Sequence, residues 1–169
     1  MRVLCSRAMI ITAAVAAFCG SATAAEKEFL NRFDGSFTGG GTVMRSGDTN
    51  QVTCTLTGQP SDSGISISGE CGIAGFSKQI SANLRFDQKS GRYSGTYVGA
   101  AVGPAALSGR RRGDAVVLTI TWPRPVNGDT KAVMTIRNSG NGELAITVTD
   151  ELKPGGAKAK ITQIALNQS

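Results

Sequence analysis

"FDGSFTGGG", Phe33 to Gly41, has the three consecutive glycines of a flexible linker, since glycine loses more freedom on ordering than any other residue. The phenylalanines argue otherwise. Phe33, Gly35 and Phe37 share one parity, and Asp34, Ser36 and Thr38 the other, which is the alternation of a half-buried strand. Glycine inside such a strand marks a bend, or a place where other backbone or a ligand comes close. The stretch therefore predicts the first strand of a strongly curved sheet, with Phe33 and Phe37 on one face.

The same period of two recurs downstream. Val52, Cys54 and Leu56 alternate with Thr53, Thr55 and Thr57, and Ile65, Ile67, Gly69, Cys71 and Ile73 with polar or small residues. Ile80, Ala82, Leu84 and Phe86 follow, then Tyr93, Gly95 and Tyr97, then Val116, Leu118, Ile120 and Trp122. Ala132, Met134 and Ile136, and Leu144, Ile146 and Val148, complete the series. Between the runs lie turn signals such as "QPSDSG" at 59–64, "QKSG" at 88–91, "RRGD" at 111–114, "VNGD" at 126–129 and "NSGNG" at 138–142. Short loops between successive strands imply an antiparallel meander. The expected fold is all-β, an up-and-down β-barrel of about 8–10 strands. The only helix expected is short, Glu26 to Arg32, with acids in its first turn.

Two hairpins can be registered by arithmetic. A turn centred between Asp62 and Ser63 pairs residues whose numbers sum to 125, which sets Cys54 opposite Cys71. Their Cα atoms would then lie about 4.5–5.5 Å apart, within reach of a disulfide. A turn centred on Gly140 pairs Ile136 with Leu144 and Met134 with Ile146.

The N-terminus reads as an export leader. Arg2 and Arg7 precede the uncharged run Ala8 to Phe18, and Ala22-Thr23-Ala24 has the small-x-small pattern of a cleavage site after Ala24 or Ala25. The run is shorter than the about 20 residues a membrane span requires. Acylation at Cys19 is disfavoured because Phe18 stands where a lipobox carries a small residue. Removing residues 1–24 leaves a single domain, 25–169, that keeps only Cys54 and Cys71, an even pair suited to an oxidising compartment. The expected location is periplasmic or secreted. The whole chain carries a net charge of +6, and loss of Arg2 and Arg7 lowers it to +4. That excess is too small, and aromatic residues at 5% too sparse, for a nucleic-acid interface.

The succession of strands, the short N-terminal helix and the opening Phe33-Asp34-Gly35-Ser36-Phe37 together resemble the calycin group of small β-barrels, which includes lipocalins, fatty-acid-binding proteins and nitrobindin-like proteins. The resemblance implies that Gly35-Ser36-Phe37 stands where those families carry a Gly-x-Trp that closes the base of the barrel, with Phe37 for the tryptophan. Gly39 and Gly41 resemble the glycines that follow in the nitrobindin-like version. The chain is also similar to small exported alphaproteobacterial proteins with a Gly-rich opening and a cysteine pair. Histidine-ligated haem is not carried over, because the chain has no histidine.

The lack of histidine also removes His-dependent triads, the usual zinc sites and imidazole acid–base chemistry. No nucleophile elbow, P-loop or EF-hand loop occurs. Asp48, Asp62, Asp87, Asp114 and Asp129 fall in expected turns, so a catalytic pair of carboxylates is not favoured. An enzyme is therefore not expected, and neither is a cofactor or a metal. The leading expectation is a monomeric carrier or binder of an apolar or amphipathic small molecule, lined by Phe37, Phe86, Tyr93, Tyr97, Trp122 and Met134. The alternative is an envelope protein-interaction barrel with a packed interior, using Arg110, Arg111, Arg112 and Arg124 as partner contacts. Arg110–Arg112 also reads as a solvated hairpin tip, and "WPRP" at 122–125 as a strand end followed by a stiff exit loop.

Overall fold

The computed structural model describes residues 19–45, 47–73, 75–126 and 128–169. Most of the expected leader, including Arg2, Arg7 and Ala8–Phe18, lies outside them. Helix α1 (Cys19–Asn31) leads into strands β1 (Gly35–Arg45), β2 (Asp48–Ser61), β3 (Gly64–Ile73), β4 (Phe76–Asp87) and β5 (Arg92–Val98). Strands β6 (Ala105–Arg112), β7 (Ala115–Val126), β8 (Asp129–Asn138), β9 (Glu143–Glu151) and β10 (Lys158–Gln168) follow. Each strand pairs antiparallel with its sequence neighbours, and β10 returns to pair with β1, so the ten strands form a closed up-and-down barrel.

Closure at β1 explains the glycines. A Cβ on Gly39 would lie 2.4 Å from the Ala165 carbonyl oxygen of β10, and one on Gly41 would lie 1.9 Å from that of Gln163. On the other flank, a Cβ on Gly40 would meet the Val52 oxygen of β2 at 2.3 Å. The space these residues leave is thus taken by neighbouring backbone, not by a ligand. Phe33 differs from the strand reading. It sits in the turn leaving α1, where Phe33 N–H donates to the Leu30 carbonyl and its ring packs edge-on against Phe29 at 5.2 Å.

The helix is also longer than expected. It begins at Cys19, so Glu26 and Glu28 lie in its second half rather than its first turn, and Ala24 and Ala25 lie within it. Alanine has the highest helix propensity, and the segment from Ala22 to Ala25 extends the helix towards the N-terminus. No helix among the described residues is long and apolar enough to cross a membrane.

Cys54 and Cys71 face each other across β2 and β3 and are joined by a disulfide, with Cα atoms 4.1 Å apart. Every pair in that hairpin obeys the sum of 125. The β8–β9 hairpin departs from its expected register. Ile136 pairs with Ile146 and Met134 with Val148, so the turn centres on Asn141 rather than Gly140. Gly140 and Gly142 both adopt positive φ, of 83° and 84°, and Asn138 Oδ1 accepts the Gly140 N–H, which together lengthen the turn. The slip is two residues, so both strands keep their apolar faces inward.

Burial alternates around the barrel as the period of two requires. Val52, Cys54, Leu56, Leu118, Ile120, Met134, Ile136 and Leu166 are buried inside, while Thr53, Thr55, Thr57 and Gln59 of β2 face solvent. A lipid-facing barrel carries the opposite polarity, with its apolar band outside.

Candidate functional site

The chain alternates between two ends of the barrel, and the ends differ. At one, which we call the helix end, lie α1 and the turns at 62–63, 88–91, 113–114 and 139–142. Phe29, Leu30, Phe33 and Phe37 are all at most 1% exposed and fill this end as a plug. Burial of such side chains stabilises by about 1.5–3 kcal/mol each. Polar contacts fix the plug in place. Arg111 Nη1 lies 3.2 Å from Glu26 Oε2 and 3.1 Å from the Ala25 carbonyl, and its guanidinium stacks 4.2 Å from the Phe29 ring. Tyr93 Oη donates to Glu26 Oε1, and burial together with that carboxylate holds the phenol protonated well above its usual range. Arg32 bonds Asp114 at 3.0 Å, and Asn138 Nδ2 donates to the Arg32 carbonyl at 2.7 Å.

At the other end, the open end, nothing comparable among the described residues covers the barrel. A hollow of about 340 Å³ opens there, walled by Val43, Ile73, Tyr97, Trp122, Val126 and Ile161 and by the loop 99–102, with Arg45 and Lys78 on its rim. Tyr97, Val148 and Thr162 also line a smaller internal void of about 40 Å³ beneath it, which reaches Met134 and Ile136. The barrel is therefore packed at mid-height and concave at one mouth.

Local sequence shapes this mouth. The strand β7 continues through "WPRP" instead of stopping at Trp122, but its pairing with β8 lapses between Thr121 and Val126. Pro123 and Pro125 have no N–H to give to a ladder, so this stretch parts from its neighbours and leaves Trp122 on the wall of the hollow. The Trp122 and Tyr97 rings meet edge-on at 6.3 Å. Burial raises the Tyr97 hydroxyl, which stays neutral.

A buried acid lies near them. Asp150, on the inward parity of β9, is 1% exposed; its Oδ1 accepts the Glu151 N–H at 2.8 Å. Burial pushes this carboxyl above its usual range, against the pull of that N–H and of the nearby Trp122 indole N–H. Among the described residues neither Trp122 Nε1 nor Asp150 Oδ2 has a partner at hydrogen-bonding geometry.

The structure thus divides the expected lining residues. Tyr97 and Trp122 line the mouth, and Tyr97 and Met134 the void below it. Phe37 and Tyr93 belong to the plug instead. Phe86 packs on Tyr93 at 5.1 Å and borders a separate surface hollow with Arg110 and Arg111. The arginines do not converge either. Arg111 is committed to α1, Arg110 Nη1 reaches the Gly91 carbonyl at 3.3 Å, and Arg112 is exposed, all at the helix end. Arg124 stands at the open end, 3.5 Å from the Val102 carbonyl. Two features escaped the expectation. The loop "GAAVGP" at 99–104 is apolar where loops are usually polar, and Asp150 continues the parity of Leu144, Ile146 and Val148.

Among the described residues no group of three or more potential ligands is placed to hold a metal ion. Comparison with protein-family models and with curated proteins finds no match in either.

Proposed function

We propose that the protein is a non-catalytic carrier or binder of a small apolar or amphipathic molecule, held in the mouth at the open end. The observation that carries this reading is the asymmetry of the barrel: a plug at the helix end and an apolar hollow of about 340 Å³ at the other. That volume lies at the lower limit of the range for small-molecule sites, about 300–1,000 Å³. Tyr97 and Trp122 supply broad apolar contact, while Arg45 and Lys78 on the rim suit a polar or anionic head. The likeness to calycins supports the same reading. The disulfide fits an oxidising location, which we take to be the periplasm or the exterior of a bacterium.

A second reading has its own support. The interior at mid-height holds a void of only about 40 Å³, as in a barrel that is packed and acts through its surface on an envelope partner. The two are separated by mass spectrometry of the protein purified natively from its host, together with titration followed by Trp122, the sole tryptophan. The carrier reading expects a stoichiometric small molecule and a shifted Trp122 emission on its removal. Ala100→Phe, which fills the mouth, should abolish rebinding. A protein that arrives with no small molecule and whose Trp122 emission is unmoved by an amphiphilic probe such as anilinonaphthalene sulfonate refutes it.

A further inference from the structure

We propose that the open end is a docking surface for an anionic lipid bilayer, against which the barrel stands end-on with its mouth facing the membrane. The proposal does not rest on the carrier reading, because it concerns the rim and not the hollow.

The argument begins with the exposed apolar side chains. Phe76, at the start of β4, is 82% exposed, and Leu152, just past β9, is 48% exposed. Both stand at hairpin tips of the open end, and Val98, 41% exposed, ends β5 on the same side. Phe76 is left almost wholly in water at a tip, and exposed apolar groups on several tips of one end mark an interaction site; Val133, 38% exposed on the outer face of β8, stands apart from them.

Charge identifies the partner. Arg45, Lys78, Lys153, Lys158 and Lys160 are exposed around the same tips, and none of them has a carboxylate within ion-pair distance among the described residues. All four ion pairs found there lie at the helix end, joining Lys27 to Asp62, Arg32 to Glu28 and Asp114, and Arg111 to Glu26. Carboxylates at the open end do not offset the cations there. Among the described residues, seven exposed cations at that end (Arg45, Lys78, Arg124, Lys131, Lys153, Lys158 and Lys160) stand against the carboxylates of Asp48, Glu70, Asp129 and Glu151, which leaves the rim net positive, and Asp150 is buried. Apolar tips ringed by free cations fit an interface of acyl chains beneath anionic headgroups. A second copy of the chain is a poorer partner, since the two rims would set cations against cations.

The test is flotation with phosphatidylglycerol vesicles and with phosphatidylcholine vesicles, using the protein as purified. Binding should favour the anionic vesicles and weaken as salt rises. Lys153→Gln with Lys158→Gln should lower affinity about 30-fold, at about fivefold per cation. Phe76→Ser should cost about tenfold or more. Arg110→Gln with Arg112→Gln, at the opposite end, should change binding by less than twofold. An apolar leader would hold the helix end to the bilayer, so orientation is read separately. Phe76→Trp should gain quenching by brominated phosphatidylglycerol, and Lys89→Trp at the helix end should not. Equal affinity for both lipids, no binding to either, quenching at Lys89→Trp alone, or self-association that Phe76→Ser abolishes without any vesicle binding would each overturn the proposal.

Discussion

Gly41→Ala tests whether the barrel closes as tightly as its glycines require. The added methyl would stand 1.9 Å from the Gln163 oxygen, more than 1 Å inside the closest approach that real Cβ atoms show. Neither side can yield easily. The oxygen belongs to the β10 backbone, and β1 cannot shift the other way because Gly40 already lies against the Val52 carbonyl of β2. The seam between β1 and β10 must therefore open locally. Overpacking of this kind costs about 1–3 kcal/mol, against a gain of about 0.5–1 kcal/mol from replacing a strand glycine with alanine. The net loss should be about 1 kcal/mol, or about 2–4 °C in thermal midpoint for a chain of this size. Gly72→Ala is the matched control. Its Cβ would meet nothing closer than the Phe76 oxygen at 3.8 Å, so the same substitution should be neutral or raise the midpoint by about 2 °C. Thermal unfolding followed by circular dichroism, with near-ultraviolet bands for tertiary packing, reads both. A Gly41→Ala variant as stable as the parent would refute the reasoning that these glycines serve close approach of backbone.

Reducing the Cys54–Cys71 bridge, whose partners are 17 residues apart, should lower stability by about 3 kcal/mol, and the intact mass should rise by two hydrogens on reduction. Arg111→Met removes the Glu26 pair, the bond to the Ala25 carbonyl and the stacking on Phe29, so α1 should loosen by about 2 kcal/mol. Amide exchange within α1 should then quicken about 30-fold while β7 and β8 keep their protection. For Asp150 the folded carboxyl is raised above its ordinary value of 3.8, so the native state binds the proton more tightly than the unfolded chain does. Its contribution therefore lowers stability as pH rises through the raised value and ceases to vary below the ordinary one. Asp150→Asn should be the more stable protein at pH 7, with the advantage shrinking as pH falls towards 3.8; urea melts at several pH values check this, and a constant gap would refute it.

What could be read in the sequence follows from what a period of two encodes. It assigns each residue to the inner or outer face, and Val52 through Val148 took the faces their parity assigns. It also registers a hairpin when the turn is tight, as at Asp62-Ser63, where no extra residue intrudes between Ser61 and Gly64. The β8–β9 register slips by two residues from the expected one because Gly140 and Gly142 both take left-handed conformations, and composition alone does not say how many turn residues will do so. The start of α1 was missed for a different reason. A small-residue segment such as Ala22–Ala25 satisfies the needs of a cleavage site and of a helix equally well. Parity carries no information about height along the barrel axis. Phe37, Tyr93, Tyr97 and Trp122 are alike in facing inward, yet Phe37 and Tyr93 lie towards the helix end, where Tyr93 bonds Glu26 of α1, while Tyr97 and Trp122 wall the mouth.

That axial division decides where function can reside. A barrel of ten strands is wider than one of eight, in which side chains just fill the interior, so a central cavity would be the ordinary expectation. Here Phe29, Leu30 and Phe33 take up the helix end, and Leu56, Ile67, Met134, Ile136 and Ile146 leave only about 40 Å³ at mid-height. Within the barrel, among the described residues, space survives where the strands end in Val43, Ile73, Val126 and Ile161 and where an apolar loop replaces a plug. Those residues come from separate strands, which is why no compact motif marks the site. On the carrier reading, Phe37 and Tyr93 act on binding only through folding. Phe37→Leu should lower the folded fraction on heating, yet leave affinity per folded molecule unchanged, whereas Tyr97→Ala should lower affinity at temperatures where the barrel is fully folded. Equal losses of affinity from both, measured on protein shown to be folded, would place the site at mid-barrel and refute the division.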